Sequence, residues 1–234
     1  PAARSSRQSE WHVASPDCVD GAMSGPLNRF EETIETRARL RELVSEPPAI
    51  VTGKVIDRID DLCRRFIGAS PFVMVATRGA DGRLDISPKG DAPGFVAVLD
   101  DKTVAIPDRP GNLRADTFEN LLAHPEVGLI FIIPGRGDTL RVSGKGRIVR
   151  DRALQEKLAA NGKVPHLVLI VDVEEAFTHC PKCMTRAKMW TPDEWPDHGG
   201  APTHAELMVA HGKLKLSVTT MQSIVDKDGE TRLY

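Results

Sequence analysis

Apolar positions recur at helical spacing over residues 30–44. Farther on, Val55, Ile56, Ile59, Leu62, Cys63, Phe66 and Ile67 mark one face at steps of three and four. That second stretch predicts an amphipathic helix ending near Gly68. Ser70-Pro71 then leads into an unbroken apolar run, 72–77, with the character of a buried strand. Asp81-Gly82 reads as a hairpin turn into residues 84–87, whose apolar side chains alternate as in a half-exposed strand. Further strands are predicted at 95–99, 103–106, 127–133, 139–149 and 166–173. Helices are predicted at 114–123, 151–160, 204–211 and 217–226.

Within 139–149, Leu140, Val142 and Ile148 share one parity while Arg141, Ser143, Lys145 and Arg147 share the other. Gly144 and Gly146 fall on the apolar parity, which predicts a bulge or the close approach of another backbone. Strands this close together leave no room for crossover helices between most neighbours, so antiparallel pairing is expected. The fold class is mainly β with peripheral helices (α+β), in a closed or partly closed antiparallel barrel. Residues 1–26 lack periodicity and are rich in Ser, Ala, Arg and Gly; a flexible tail is expected there, followed by a single domain over 27–234.

The 234 residues are 41% apolar, enough for a real core, and carry a formal charge of −2. This charge gives no footprint for nucleic acid or an anionic membrane surface, and no apolar run approaches the ~20 residues that span a bilayer. A cytoplasmic location is expected. Of the four cysteines, Cys18 lies in the tail, Cys63 on an apolar helical face, and Cys180 and Cys183 form one Cys-x-x-Cys. Reduced thiols are expected. With no second Cys-x-x-Cys or His-x3-His, no metal site is expected.

Candidate chemistry concentrates in two segments after strand-like runs, Asp85-Ile-Ser-Pro-Lys-Gly-Asp91 and Pro107-Asp-Arg-Pro-Gly-Asn-Leu-Arg-Ala-Asp-Thr117. They gather Ser87, Lys89, Arg109, Asn112, Arg114 and Thr117, the donors that grip a phosphate. Asn112 is expected to cap the following helix, whose amino terminus favours a dianion. On a chain that is not basic overall, this local cluster points to a small phosphorylated ligand. The competing reading is a solvated turn with two surface arginines. Rossmann and Walker glycine patterns are absent, since Gly135-x-Gly137 and Gly144-x-Gly146 do not open helices after strands. A second tract, His179-Cys-Pro-Lys-Cys-Met-Thr-Arg-Ala-Lys-Met-Trp190, packs cations and an aromatic beside a predicted core strand, as a wall for a planar ligand would require. No Ser/His/Asp or paired-carboxylate arrangement emerges, so no catalytic residue is assigned. Cofactor-borne redox chemistry suits that scarcity.

In this order, these segments resemble the FMN-binding split-barrel proteins related to pyridoxamine 5′-phosphate oxidase. The strings that carry the likeness include Ser70-Pro-Phe72, Asp85-Ile-Ser-Pro-Lys-Gly-Asp-Ala-Pro-Gly-Phe-Val96, Ile106-Pro-Asp-Arg-Pro-Gly-Asn112, Asp138-Thr-Leu-Arg-Val142 and His179-Cys180, within residues 30–234. The resemblance implies a split β-barrel and a homodimer with FMN in clefts between subunits. It also implies an oxidoreductase passing hydride at flavin N5 to or from a small organic substrate. Ser87 and Lys89 would reach flavin and phosphate; Arg109, Asn112, Arg114 and Thr117 would form the phosphate loop and helix start. Arg141 would come from a strand near the cleft, and His179, Lys182, Arg186 and Trp190 would border the isoalloxazine. Related barrels take haem or a deazaflavin, and a non-catalytic flavin-binding module is the remaining alternative. Cys183 departs from the family pattern, and the groups that bind pyridoxal phosphate in the vitamin oxidase are not recognisable.

Overall fold

The computed structural model describes residues 30–234, so the expected tail, with Trp11 and Cys18, lies outside the described residues. The described residues fall into two compact units, 30–48 and 49–234. In the first, the helical pattern of 30–44 resolves into α1 (Arg37–Leu43). The Thr36 side chain caps it by accepting from the Arg39 N–H, and Arg39 grips Glu32 and Glu42 at 2.6 and 2.7 Å.

The second unit opens with a single turn, α2 (Ala49–Thr52), and then α3 (Asp61–Ala69). The long helix expected from Val55 onward is cut short by Asp60, whose carboxylate accepts from the Cys63 N–H and so fixes the start. Upstream of that cap the backbone is extended instead, because Ile56 exchanges two backbone hydrogen bonds with Ala176, at 3.0 and 2.7 Å. The predicted stripe still points inward at Ile59, Cys63, Phe66 and Ile67, all buried.

Seven strands follow: β1 (Phe72–Arg78), β2 (Leu84–Gly90), β3 (Ala97–Val98), β4 (Thr103–Pro107), β5 (Glu126–Ile132), β6 (Thr139–Val149) and β7 (Val168–His179). They pair antiparallel in the order β2-β1-β5-β6-β7-β4-β3, a coiled sheet left open between β2 and β3, which is a split barrel. The strand expected at 95–99 shrinks to two residues. That expected at 166–173 runs on to His179, because β6 offers it eleven residues of pairing.

Val73, Val75, Leu129, Phe131, Leu140, Val142 and Val171 fill the barrel interior, and α3 and α4 (Asp116–Ala123) cover it. The two glycines of β6 behave as their positions predict. The register against β7 slips between Ser143 and Gly144, and a Cβ on Gly144 would fall 1.9 Å from the Asp172 carbonyl oxygen. A Cβ on Gly146 would meet the Leu121 side chain of α4 at 2.7 Å, so this gap seats the helix on the sheet.

The outer face of the sheet is also apolar where β2, β1 and β5 lie side by side. Leu84, Ile86 and Pro88 stand in register with Arg78, Ala76 and Met74, and Met74 with Ile130. Leu84 is 79% and Ile86 60% exposed. The remaining elements are α5 (Arg152–Lys157), α6 (Lys182–Arg186), a 3-10 turn at Pro192–Glu194, α7 (His204–His211) and α8 (Val218–Thr231). Among the described residues, no helix is long and apolar enough to cross a membrane.

Candidate functional site

β2 is an edge strand, and its period of two sends Asp85, Ser87 and Lys89 to the inner side, opposite Thr77, Val75 and Val73. Past the rim of the core these polar side chains face the loop 108–115 and the start of α4. Between them lies a cleft of about 770 Å³, closed on its far side by residues 163–167 and Tyr234. Its size suits a mononucleotide-like ligand. Six of the residues predicted to hold a phosphate, Ser87, Lys89, Arg109, Asn112, Arg114 and Thr117, line this one cleft.

Their arrangement differs from the sequence reading in two respects. Asn112 does not cap α4. Its side-chain oxygen accepts from the Arg114 N–H at 3.1 Å, an Asx turn, and the cap position falls to Ala115 with φ 56°. Leu113 is also left-handed, at φ 63°. Two such residues bracketing Arg114 bend the loop sharply, so the helix starts two residues later than expected. The strain is of a kind that collects at binding loops. Thr117, in the first turn, is buried.

The second difference concerns the arginines. Arg109 donates from Nε to Asp91 at 2.6 Å and from Nη2 to the Leu158 carbonyl at 3.0 Å. The Asp91 side chain is 3% exposed, and it also accepts from the Tyr234 hydroxyl at 2.8 Å and the Ala92 N–H at 2.7 Å. Burial is the largest influence on this carboxyl and pushes it up; the Tyr234 hydroxyl, the Ala92 N–H and Arg109 together outweigh burial and leave it below the ordinary value. Arg109 is therefore a wall of the cleft tied into the fold. Arg114, well exposed, pairs with Asp116, two residues on, at 2.6 Å.

Two carboxylates missed by the sequence reading share the cleft with these cations. Asp108 is pushed above the ordinary value by burial, against the pull of Lys89, His166 and Arg109. Asp85 has one oxygen, Oδ2, that is buried without a hydrogen-bond partner. The parity of Asp85 with Ser87 and Lys89 was a signal that could have found it. His166 and Tyr234 arrive from distant segments, and no local pattern announces them.

The other five predicted residues lie elsewhere. Arg141 is on the outer face of the sheet, in register with Ile130 and Phe177, and His179 ends β7 opposite Thr139. None of the five lines the cleft: His179 ends β7, whose opposite end, Val168, directly follows the cleft residues 163–167. Within one chain the two groups therefore do not converge. At this second place the Phe177 ring has Arg141 Cζ at 5.4 Å and Lys54 Nζ at 5.7 Å, with the His179 ring at 5.0 Å. Burial first, then Lys54 and Arg141, hold the His179 imidazole below its ordinary value. Lys54 went unrecognised in the sequence, and it is tied here by donating to the Thr178 carbonyl at 2.5 Å. Lys182 and Arg186 lie on α6, which follows directly. The Trp190 indole N–H donates to the Arg136 carbonyl at 2.6 Å and pins that segment to the β5–β6 loop.

No curated protein matches the sequence. Among solved structures, the chain is similar to HupZ of Group A Streptococcus, at 23% identity over 51% of this chain and 93% of that one, TM-score 0.43. It is also similar to a putative pyridoxamine 5′-phosphate oxidase from Lactobacillus delbrueckii (20% identity, 52% and 99% covered, TM-score 0.41). A third is the haem storage protein HutZ of Vibrio cholerae (13% identity, 52% and 94% covered, TM-score 0.37). The family model for pyridoxamine 5′-phosphate oxidase matches residues 59–180, the span from the start of α3 to the end of β7 that builds the whole barrel and most of the cleft. The chain belongs to the pyridoxamine 5′-phosphate oxidase family.

Proposed function

We propose that the protein is an FMN-dependent oxidoreductase acting on a small organic substrate, with the flavin phosphate held in the cleft between β2 and the start of α4. The observation that carries this reading is the gathering of Ser87, Lys89, Asn112, Arg114 and Thr117 around one cavity large enough for a mononucleotide. Lys89 and the Ser87 hydroxyl would contact the phosphate from β2. The turn at Asn112 and the first N–H groups of α4 would contact it from the opposite wall. Arg114 would exchange Asp116 for the phosphate.

The donor set fits the rest of FMN as well. A phosphate brings only acceptors and would be repelled by Asp85. The ribityl chain and ring bring hydroxyl and N–H donors, which is what the unpartnered Asp85 Oδ2 requires. Bound there, the flavin would supply two-electron hydride chemistry at N5, while the protein orients it and tunes its charge.

The reading includes a homodimer. The outer face formed by Leu84, Ile86, Met74 and Ile130 is a contiguous apolar surface of the kind that is covered by a partner. Pairing through it would bring Arg141, His179, Lys182, Arg186 and Trp190 of one protomer toward the cleft of the other, supplying the half of the site that does not line the cleft within one chain.

Titration of the purified protein with FMN, followed by quenching of flavin fluorescence, tests the cofactor. Saturable quenching supports the reading. A protein that ignores FMN but develops the absorption bands of bound haem or of a deazaflavin would overturn it. Reduction of bound FMN by NADH or NADPH and its reoxidation by an acceptor tests the catalytic part.

A further inference from the structure

Cys180 and Cys183 take no part in the site described above, yet their placement is specific. Both are exposed, whereas Cys63 is buried in the core. The residues between them, Pro181 and Lys182, begin a helical turn: Pro181 has φ −74° and ψ −2°, and Lys182 is the first residue of α6. Two consecutive right-handed residues bring the flanking Cα atoms within about 7 Å, and a disulfide spans Cα separations of roughly 4.4–6.8 Å. The turn is firmly held. The Pro181 carbonyl accepts from the Thr185 N–H at 2.9 Å and the Cys183 carbonyl from the Ala187 N–H at 3.0 Å. Gly137 lies so close that a Cβ there would be 2.5 Å from Pro181 Cβ. The Trp190–Arg136 hydrogen bond anchors the far end of the segment. The two thiols are thus kept near one another on a fixed support, and closing them into a ring does not require ordering a loose loop.

We propose that Cys180 and Cys183 form a reversible dithiol–disulfide couple that exchanges with small-molecule disulfides of the glutathione class. In the forward direction one cysteine thiolate attacks the disulfide RSSR. The S–S bond breaks, a protein mixed disulfide forms, and one RS⁻ leaves and takes up the proton that the cysteine gave up. The second cysteine thiolate then attacks the protein sulfur of the mixed disulfide, expelling the other RS⁻, which is protonated in turn. The dithiol has lost two electrons and two protons, and RSSR has become two RSH.

Cys63 is an internal control. Burial, and then Asp60, push its thiol up to about 11, so it stays protonated and unreactive at neutral pH. The exchange itself uses no flavin and is tested without added FMN, so its failure can be told apart from failure of the FMN reading, in which the neighbouring His179 and Lys182 face the partner's cleft.

The test uses the full chain carrying Cys18→Ser, incubated with reduced or oxidised glutathione, then treated with an alkylating reagent under denaturing conditions and weighed by mass spectrometry. In oxidised glutathione, the expected result is a mass lower by two hydrogens before alkylation, two fewer alkyl groups after it, and one peptide containing both Cys180 and Cys183 joined internally. Reduced glutathione should reverse the change. With Cys183→Ser the exchange should stop at a single glutathione adduct on Cys180. Independent glutathione adducts on both cysteines of the Cys18→Ser protein, disulfides joining two chains, or two thiols that remain alkylatable throughout would each overturn the proposal.

Discussion

At the residue scale, the decisive distinction is between charges that serve the cleft and charges that serve the fold. Arg109 and Arg114 look alike in the sequence, yet Arg109 is locked to a carboxylate that is 3% exposed and Arg114 lies at the surface. Asp91→Asn should therefore leave a partly buried guanidinium without its counter-ion and cost about 3 kcal/mol, as breaking a buried pair does, measured by urea unfolding. The same carboxylate gives a pH signature. Its folded value is depressed, so its contribution is full above the ordinary carboxylate range near 4 and is lost as pH falls toward the lower folded value. Wild-type stability should decline over that acid window, and Asp91→Asn should show a shallower decline. Equal slopes would remove Asp91 from the account. For the same reason Arg109→Ala perturbs the fold as well as any ligand, and Lys89 and Arg114 are the better probes of binding.

At the scale of elements, the loop into α4 is bent by two left-handed non-glycine residues, Leu113 and Ala115. A left-handed residue with a Cβ costs roughly 1–2 kcal/mol, and glycine escapes that penalty at some cost in chain entropy. Ala115→Gly should accordingly raise the unfolding midpoint, with a gain of up to about 1 kcal/mol. A drop would mean that the methyl group packs usefully.

The elements also show what could be read from the sequence. β6 was legible to the residue, because its eleven positions alternate cleanly and its glycines sit on the apolar parity where the bulge and the seat of α4 occur. α3 was misread at its start because Val55 and Ile56 match a helical period, and only the tertiary pairing of Ile56 with Ala176 draws them into extended chain. The phosphate-type donors of the cleft were legible as two local strings. Tyr234, His166 and Lys54 were not, since each reaches its place from a remote segment, and a pattern of short range carries no record of such contacts.

At the scale of the whole molecule, the sheet is apolar not only in its core but also on its outer face, where β2, β1 and β5 lie side by side. Its inner face is the core, and its outer face exposes Leu84, Ile86 and Ile130 in adjacent strands. An antiparallel sheet with one face in water would alternate toward polar residues there. In sedimentation, the wild type should run as a dimer at micromolar concentration, whereas Ile86→Asp combined with Ile130→Asp should run as a monomer with its far-UV spectrum intact. A wild-type monomer would contradict the proposed dimer and the proposed sharing of the site between protomers.

The central claim, that this cleft holds a flavin phosphate, is tested most directly by one titration of FMN against the wild type and the Lys89→Ala/Arg114→Ala variant, read by fluorescence quenching. Each charged hydrogen bond contributes about 1.5–3 kcal/mol. The account predicts tight binding by the wild type and a loss of about a hundredfold or more in the double variant, with its unfolding midpoint unchanged. Equal affinity in the two proteins, or no binding in either, would contradict it.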